Sequence, residues 1–399
     1  MSLSLAVIII FGLVVNKAFD KISLPGLLGM LLLGIVIGPY GLNLISPEVL
    51  AISPDLRKIA LIIILIRAGL GLNKDTLIKV GLPAIKMSFI PGLFEGFTIL
   101  FIASYLLDIS KIEAGMLAFI VAAVSPAVVV PSMLVLIEEG KGKVKGIPTL
   151  ILAGASIDDV IAITLFSTFL GFYGGKNVNI GLKLLNIPVS IILGVIIGIL
   201  MGLLLINLFK KFHMRDTKKV LLLISGGIIL TLLEDVITSP INFAALIGIM
   251  TIGFIIMEKY GVLGKRLAKK FNGIWVFAEL LLFVLVGAEV NVHVALNAGV
   301  IGLLIIFIGL IARSIGVMFS LIGSDLNYKE RLFCVVAYTP KATVQAAIGA
   351  VPLAYGVESG ELILAIAVLA IIVTAPLGAF GIRYLGEKWL SSPSDVKVS

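Results

Sequence analysis

Apolar runs recur along the whole chain, each about 20 residues long, which is the length a helix needs to span the hydrocarbon core of a bilayer. The runs are continuous rather than alternating, and this disfavours a β-barrel. Composition agrees, because 60% of the residues are hydrophobic and only 14% are charged. So few charges cannot cover a water-facing surface. The sequence therefore predicts an all-α polytopic membrane protein.

Hydropathy predicts about 13 transmembrane helices. The predicted spans lie near residues 3–18, 24–38, 56–71, 76–107, 112–138, 144–173, 186–209, 219–235, 240–257, 274–290, 297–322, 328–354 and 361–384. Because such spans recur along the chain, we expect a multi-pass protein of the cell membrane that is embedded in the lipid bilayer.

The loops between the predicted spans differ in basic content. Three basic segments alternate with acidic or short connections: EEGKGKVK (138–145), KKFHMRDTKK (210–219) and EKYGVLGKRLAKK (258–270). Lys and Arg concentrate in cytoplasmic loops, so the N-terminus is predicted outside and the C-terminus in the cytoplasm. The formal charge of +8 is explained by basic residues in the loops that set the membrane topology, so no nucleic-acid partner is expected.

Two halves of the chain carry similar segments in the same order. The pairs are residues 23–41 with 238–261, RAGLGLN (67–73) with LVGAEVN (285–291), and SPAVVVPS (125–132) with TPKATVQA (339–346). Matched prolines and glycines, including Gly34 with Gly248, lie 214 to 218 residues apart. A repeat separated by an odd number of helices is inverted, and inverted repeats are typical of transporters.

The repeat divides the chain into four parts. We expect two inverted six-helix repeats, a linking helix with a basic cytoplasmic loop, and a cytoplasmic tail, at residues 1–185, 219–384, 186–218 and 385–399 respectively. The single cysteine, Cys334, excludes a disulfide within the chain.

Prolines interrupt two predicted spans at matching positions of the repeats. Pro126 and Pro131 lie within VAAVSPAVVVPSML, and Pro340 and Pro352 lie within VAYTPKATVQAAIGAVPL. Proline removes a backbone donor from a helix, and in a membrane the freed carbonyls need partners from protein or water. Matching interruptions predict two discontinuous helices that cross near the midplane and present partial charges there.

Two aspartates lie side by side in the predicted sixth helix. Asp158 and Asp159 occur in GASIDDVIAI, with no basic residue within two turns. Buried carboxylates are costly and, within membrane spans, generally functional. Neighbours on a helix point about 100° apart, so one aspartate can face a cavity while the other pairs with a base from a distant helix.

Three of the other charged residues inside predicted spans bear on the same site. Glu95 and Arg313 are 218 residues apart, the same offset as Gly69 and Gly287, so they occupy equivalent repeat positions with opposite charge. We therefore predict an ion pair between the repeats. Lys341 follows a proline at a helix break, where the positive end of a helix dipole would repel it. It consequently needs an acidic neighbour.

The chain resembles the monovalent cation/proton antiporter superfamily, and within it the sodium/proton antiporter branch with the animal NHA-type exchangers. The stretches that carry the resemblance are VSPAVVVPSM, GASIDDVIAI, LFVLVGAEVNV, LIARSIG and YTPKATVQAAIGA. The resemblance implies a homodimer in which a core domain moves against a dimerisation domain. The core (ion-transport) domain would comprise about 76–173 and 297–384, and the remaining helices would form the dimerisation domain.

The resemblance also implies roles for individual residues. Asp159 is similar to the main cation and proton carboxylate, and Asp158 to its partner. Arg313 stands where many electrogenic members carry a lysine that pairs with the first aspartate. Arginine stays protonated in proteins, so either Lys341 serves as a second proton carrier or the exchange is electroneutral. Glu95 and Arg313 match an ion-pair position of the NHA-type branch.

The function implied by the resemblance is secondary antiport of Na⁺ (or Li⁺) against H⁺ by alternating access. The expected protein is not an enzyme and has no cofactor. Oxygen ligands for the cation would come from the two aspartates, from freed backbone carbonyls and from the hydroxyls of Ser125, Ser156 and Thr339.

Other functions of the same architecture stay open from the residues alone. A K⁺/H⁺ antiporter, a channel and a cation-coupled solute symporter also use broken helices and inverted repeats. A membrane-embedded aspartyl protease is disfavoured, because it needs its two aspartates on separate helices and the expected GxGD stretch is absent.

Overall fold

The computed structural model of the chain describes residues 1–22, 24–72, 74–173, 180–237 and 243–391. These residues form helices and connecting turns, with no β-strand among them, so the all-α prediction is confirmed. The helices are α1 (Ser2–Lys21), α2 (Gly26–Ile37), α3 (Pro47–Ala51), α4 (Ser53–Gly71), α5 (Lys74–Leu106), α6 (Lys111–Val121), α7 (Pro126–Glu138), α8 (Ile147–Tyr173), α9 (Ile180–Lys211), α10 (Asp216–Val236), α11 (Ala245–Lys259), α12 (Gly261–Ala288), α13 (Val292–Ser320), α14 (Tyr328–Ala337), α15 (Thr343–Ile348), α16 (Val351–Ala354) and α17 (Gly360–Trp389).

Every predicted span overlaps one or more of these helices. Within the described part of the chain, 6 helical stretches are long and apolar enough to cross a membrane by length and composition: Ser2–Lys21, Gly81–Leu106, Ile192–Lys211, Gly261–Ala288, Gly299–Ser320 and Gly360–Trp389. The chain is thus a multi-pass helical membrane protein, while the count of spans and their inverted repetition stay predictions.

The chain divides into two compact units. The first comprises Met1–Ala51, Thr76–Tyr173 and Phe283–Ser399, and the second comprises Ile52–Asp75 and Gly174–Leu282. Both segments expected to transport ions, 76–173 and 297–384, lie in the first unit. That unit also contains α1 and α2.

Helix α12 begins within the basic segment 258–270, which hydropathy assigns to a loop. Leu263, Leu267 and Phe271 recur every four residues and are all buried. The lysines and arginine between them lie on the exposed side of the same helix. An amphipathic helix start of this kind has too many charges for a hydropathy window to assign it to a span, so only its 3.6-residue period could have indicated it.

The two proline-containing spans are interrupted, as predicted. The first consists of α6 and α7 with residues 122–125 between them, and the second of α14, α15 and α16 with a non-helical stretch at 338–342. Both begin with a capping box, Ser110 with Glu113 on α6 and Asn327 with Glu330 on α14. A capping box satisfies two of the amides that every helix start leaves free.

The two interrupted spans begin at opposite ends of the first unit. At one end the Ser359 hydroxyl donates to Glu113 at the start of α6, 3.0 Å away. At the other end Lys145 Nζ donates to Glu330 at the start of α14, at 2.8 Å. Helices α8 and α17 run between these ends, so the interrupted spans enter the unit from opposite directions and meet in its interior.

One helix limit and one kink differ from the prediction. Helix α17 continues past 384 to Trp389, because Leu385, Trp389 and Leu390 pack on the buried cluster around Phe333. Helix α5 contains a kink at Gly81, whose φ of 58° is a left-handed conformation that favours glycine. The predicted tail from 385 is therefore partly helical, and residues 392–399 lie outside the described part.

Candidate functional site

Helix α8 carries the two aspartates midway along its length. Both are buried, with Asp158 2% and Asp159 9% exposed. Glycine and alanine dominate the preceding turn, so neighbouring helices can approach closely on that side. On α5, for example, Gly92 lies so close to Asp158 that a Cβ added to it would be only 2.7 Å from Asp158 Oδ1.

Asp158 has two donors, each from a different element. Its Oδ2 accepts a hydrogen bond from Arg313 Nη2 at 2.6 Å and another from the Val124 amide at 2.9 Å. Val124 lies in the interruption before α7, so the amide end of that half-helix faces the carboxylate. A helix N-terminus and a guanidinium both stabilise negative charge, and Asp158 is therefore held as a carboxylate.

Arg313 of α13 also donates hydrogen bonds to Glu95 and to the non-helical stretch between α6 and α7. Its Nη1 donates to Glu95 Oε2 at 2.7 Å and to the carbonyl oxygen of Ala122. Lys341 Nζ donates to the same Glu95 oxygen at 2.6 Å. Glu95 is thus the acidic neighbour that the prediction requires for Lys341, and the expected Glu95–Arg313 ion pair is present.

The formal charges of this cluster do not balance when both aspartates are ionised. Arg313 and Lys341 together offset Glu95 and Asp158, and all four side chains are 2% exposed or less. Asp159 has no ion pair with a base among the described residues, and its Oδ1 is buried with no hydrogen-bond partner there. A buried carboxylate without a partner is costly enough that it takes up a proton or a cation.

The interrupted spans cross directly beside this cluster. The Ser125 amide donates to the Pro340 carbonyl at 2.8 Å, and the Thr343 amide approaches Ser125 Oγ at 3.4 Å. The Lys341 amide donates to Thr374 Oγ1 of α17 at 2.8 Å. These bonds supply the partners that backbone groups need inside a membrane.

The Gln345 side chain satisfies the free end of α6. Its Nε2 donates to the carbonyls of Ile120 at 2.8 Å and Ala123 at 3.0 Å, with Val121 at 3.3 Å. The Arg313 contact takes the remaining carbonyl of this group, at Ala122. The C-terminal end of a helix carries partial negative charge, so these donors neutralise it where the spans cross.

The hydroxyls predicted as cation ligands fall into different settings. Ser125 is fully buried at the crossing and lies 3.4 Å from the Thr343 hydroxyl. Thr339 donates its hydroxyl to the Val336 carbonyl at 2.8 Å, which leaves the oxygen able to accept or coordinate. The backbone of Ser156 belongs to α8, and its side chain lies outside what the structure describes.

Three side chains of the cluster escaped prediction as site residues. Gln345 and Thr374 supply donors or acceptors to the crossing backbone, and Tyr338 places its ring 5.4 Å from the Arg313 guanidinium carbon. Polar residues next to a mid-span proline were the available signal for Gln345. Thr374 and Tyr338 carry no such signal, because their roles depend on which helices pack together.

Known proteins resemble the chain over nearly its whole length. The chain is 33% identical to sodium/hydrogen exchanger 9B1 of Homo sapiens over 94% of its own length and 75% of that protein. It is 35% identical to sodium/hydrogen exchanger 9B2 of Homo sapiens, over 92% of its own length and 70% of that protein. The fold is similar to the structure of the sodium proton antiporter MjNhaP1 from Methanocaldococcus jannaschii at pH 8, with a TM-score of 0.81 and 20% sequence identity. The match covers 96% of this chain and 97% of that one.

The sequence model of one family matches residues 5–388 and is described as the sodium/hydrogen exchanger, transmembrane. That match and the identities above span the aspartate pair, both interrupted spans and the three helices that bring Glu95, Arg313 and Thr374 to them. The chain therefore belongs to the transmembrane sodium/hydrogen exchanger family.

Proposed function

We propose that this chain exchanges Na⁺ (or Li⁺) for H⁺ across the membrane, and that cation and proton compete for Asp159. The observation that carries the proposal is the charge balance of the buried cluster. Four fixed charges cancel, and Asp159 is left with one buried, unpartnered oxygen. One monovalent cation or one proton neutralises it, but both cannot bind at once. If only the proton-loaded or cation-loaded core crosses between the two states, this competition gives antiport.

The remaining ligands follow from the chemistry of the ion. Na⁺ and Li⁺ are hard cations that prefer oxygen, as other hard metal ions do. Asp159, Asp158 and the Ser125, Ser156 and Thr339 hydroxyls are the proposed oxygen donors, with freed backbone carbonyls at the crossing. The relatives named as sodium/hydrogen exchangers favour Na⁺ over the K⁺/H⁺ and solute-symport alternatives.

The same balance leads us to propose electroneutral exchange. Arg313 cannot lose its proton, and it is fixed by two carboxylates and a carbonyl. Lys341 Nζ lies 2.6 Å from Glu95 Oε2, and we propose that this ion pair keeps the lysine protonated during the cycle. Asp159 is then the single exchangeable position, and one positive charge moves in each direction.

We further propose that the transport cycle alternates the access of this site between the two sides of the membrane. The crossing half-helices would move as one core domain, about 76–173 and 297–384, against the remaining helices in a homodimer. The hydrogen bonds that tie the half-helices to α8, α13 and α17 support their motion as one body.

Proteoliposomes with a pH-sensitive dye inside test the proposal. A Na⁺ or Li⁺ gradient is expected to change the internal pH without any organic solute, and imposing a membrane potential should leave the rate unchanged. Asp159→Asn should abolish the pH change, because a neutral amide takes up no proton and no longer supplies the negative charge that the cation neutralises. Asp108→Asn is the matched control, since Asp108 is exposed and has a φ of 52° that asparagine also adopts.

Each alternative predicts a different result in the same assay. Retained exchange in Asp159→Asn would contradict the assigned site. A response only to K⁺ would indicate a K⁺/H⁺ antiporter, and a response that requires an organic solute would indicate a symporter.

A further inference from the structure

Tyr338 lies at the end of α14, between the charged cluster and α8. Its side chain is fully buried, and its ring centroid is 5.4 Å from the guanidinium carbon of Arg313. An aromatic face attracts a cation at that distance, so the ring explains part of the Arg313 position. The ring alone would be supplied equally well by phenylalanine.

The hydroxyl of Tyr338 is the part that the packing does not explain. It is buried and has no hydrogen-bond partner among the described residues. It lies so close to α8 that a Cβ on Gly154 would overlap it. Gly154 is one helical turn before Asp158 on the same side of α8, so the hydroxyl faces the side of the helix that carries that carboxylate.

Leaving a polar atom buried without a partner is destabilising relative to an apolar group of the same shape. Most buried polar atoms in native proteins have a hydrogen-bond partner, and an exception calls for an explanation such as a functional role or a bound ion. The oxygen that lacks a partner on Asp159 belongs to the same helix, within five residues of Gly154. Two buried oxygens without partners therefore adjoin one segment of α8.

We infer that the Tyr338 hydroxyl oxygen is a ligand of the transported cation, together with the aspartate carboxylates. This inference rests on the proposed Na⁺/H⁺ exchange and adds a residue to its site. A phenol oxygen has lone pairs that suit a hard cation. Being neutral, it adds coordination without disturbing the balance in which one positive charge neutralises Asp159.

Tyr338→Phe isolates the hydroxyl, because it keeps the ring against Arg313. Purified protein in detergent is heated at increasing NaCl, with choline chloride holding ionic strength constant. Without Na⁺ the variant is expected to unfold at or above the wild-type temperature, since no hydrogen bond is lost and an unpartnered buried hydroxyl is removed. The Na⁺ concentration that gives a set thermal shift should rise about tenfold, as expected for one interaction with a charged group.

Transport measurements should show the same change. The Na⁺ concentration for half-maximal exchange should rise by a similar factor in proteoliposomes, with a smaller effect on the maximal rate. Tyr384→Phe is the matched control, because Tyr384 is 52% exposed on α17 and stacks on Phe380. It should leave both readouts unchanged.

The position of the hydroxyl has its own test. Gly154→Ala should lower the unfolding temperature in the wild-type background, where the new Cβ meets the hydroxyl. In the Tyr338→Phe background the same change should be better tolerated, because the oxygen is gone. Equal costs in the two backgrounds would contradict the contact between Tyr338 and α8.

Different results would overturn the ligand role of Tyr338 and the proposed exchange function. If wild-type protein exchanges Na⁺ for H⁺ and Asp159→Asn does not, but Tyr338→Phe has wild-type Na⁺ dependence, only the ligand role is overturned. A lower unfolding temperature of Tyr338→Phe without Na⁺ would also overturn it, since that result indicates a structural hydrogen bond. Wild-type protein without exchange would refute the proposed function itself.

Discussion

At the scale of single residues, Arg313 makes three contacts that no other side chain could make at once. Its two terminal nitrogens reach Asp158 at 2.6 Å and Glu95 at 2.7 Å, and one of them also contacts the Ala122 carbonyl. A planar guanidinium offers separate donors in fixed directions, whereas an ammonium is a single point charge. The identity of this residue, and not only its charge, holds the cluster.

Arg313→Lys is therefore expected to destabilise the protein strongly despite keeping the charge. The shorter side chain has one nitrogen and would lose its contact with either Asp158 or Glu95, and a hydrogen bond to a charged group contributes about 1.5–3 kcal/mol. Thermal unfolding in detergent measures the effect. Arg383→Lys serves as control, because Arg383 is exposed and its contact with Glu387 is 3.9 Å long. Equal unfolding temperatures for the two variants would contradict this account.

The sequence predicts some contacts of the charged cluster and misses others, for a physical reason. Equal spacing in a repeat identifies Glu95 and Arg313 as partners, since equivalent positions of two inverted units can meet at their interface. It does not identify Lys341 as the second donor to Glu95, because that contact depends on the path of the non-helical stretch at 338–342. Nor does it separate Asp158 from Asp159, which differ only in what packs against them.

At the scale of helices, the crossing depends on donors supplied to helix ends. Prolines in the sequence correctly predict where the two spans break. They do not show how the freed carbonyls are satisfied, because the donors come from residues more than 200 positions away, such as Gln345 to Ile120. Short helices of six and four residues, α15 and α16, are likewise below the length that hydropathy resolves.

Gln345→Glu tests the crossing with almost no change in shape. The substitution removes both donor hydrogens and places acceptor oxygens against the carbonyls at the end of α6. We expect a loss of about 1–3 kcal/mol or more in stability, the cost of leaving buried polar groups unsatisfied, together with slower exchange. Unfolding temperature and transport rate are measured on the same preparation.

Thr343→Ser is a mild comparison at the same crossing, since it keeps the hydroxyl that lies 3.4 Å from Ser125. It should be much less damaging than Gln345→Glu. If both variants behave like the wild type, the Gln345 bonds contribute little to the crossing.

At the scale of the whole molecule, glycines make two similar helix contacts, one in each compact unit. In the first unit, a Cβ on Gly34 or Gly287 would overlap a main-chain oxygen across the α2–α12 contact. In the second unit, a Cβ on Gly69 or Gly253 would likewise overlap a main-chain oxygen across the α4–α11 contact. The offsets are 219 residues for Gly34 with Gly253 and 218 for Gly69 with Gly287, which supports the proposed repeat.

The packing assigns Gly34 a different counterpart from the sequence match, which paired it with Gly248. Uniformly apolar helices align almost equally well at several registers, so sequence similarity alone does not fix the pairing. A backbone contact that excludes a Cβ is a stricter criterion, and under the proposed repeat it favours Gly253 as the counterpart of Gly34.

Gly287→Ala is expected to lower stability, because its Cβ would overlap the Leu31 carbonyl oxygen and overpacking costs about 1–3 kcal/mol. Gly273→Ala on the same helix is the control, since its Cβ would meet open space. There alanine should be neutral or stabilising by up to about 1 kcal/mol. Unfolding temperatures compare the two, and equal losses would show that helix propensity and not close contact decides the effect.

The orientation of the molecule in the membrane follows from which loops share an end of the first unit. The contact of Lys145 with Glu330 and that of the Gly142 amide with the Ser391 carbonyl, at 3.0 Å, join the lysine-rich loop, the start of α14 and the end of α17. The opposite end joins Glu113 to Ser359 and is poorer in lysine. By the positive-inside rule, we expect the lysine-rich end to face the cytoplasm.

Single cysteines can test this orientation, because Cys334 is the only natural cysteine and is fully buried. In a Cys334→Ala background, Lys143→Cys and Glu358→Cys place thiols at exposed positions of the two ends. A membrane-impermeant maleimide added to intact cells should label Glu358→Cys at once and Lys143→Cys only after permeabilisation. The reverse order would place the lysine-rich end outside, and both proposed termini would then exchange sides, since α17 joins the two ends of the same unit.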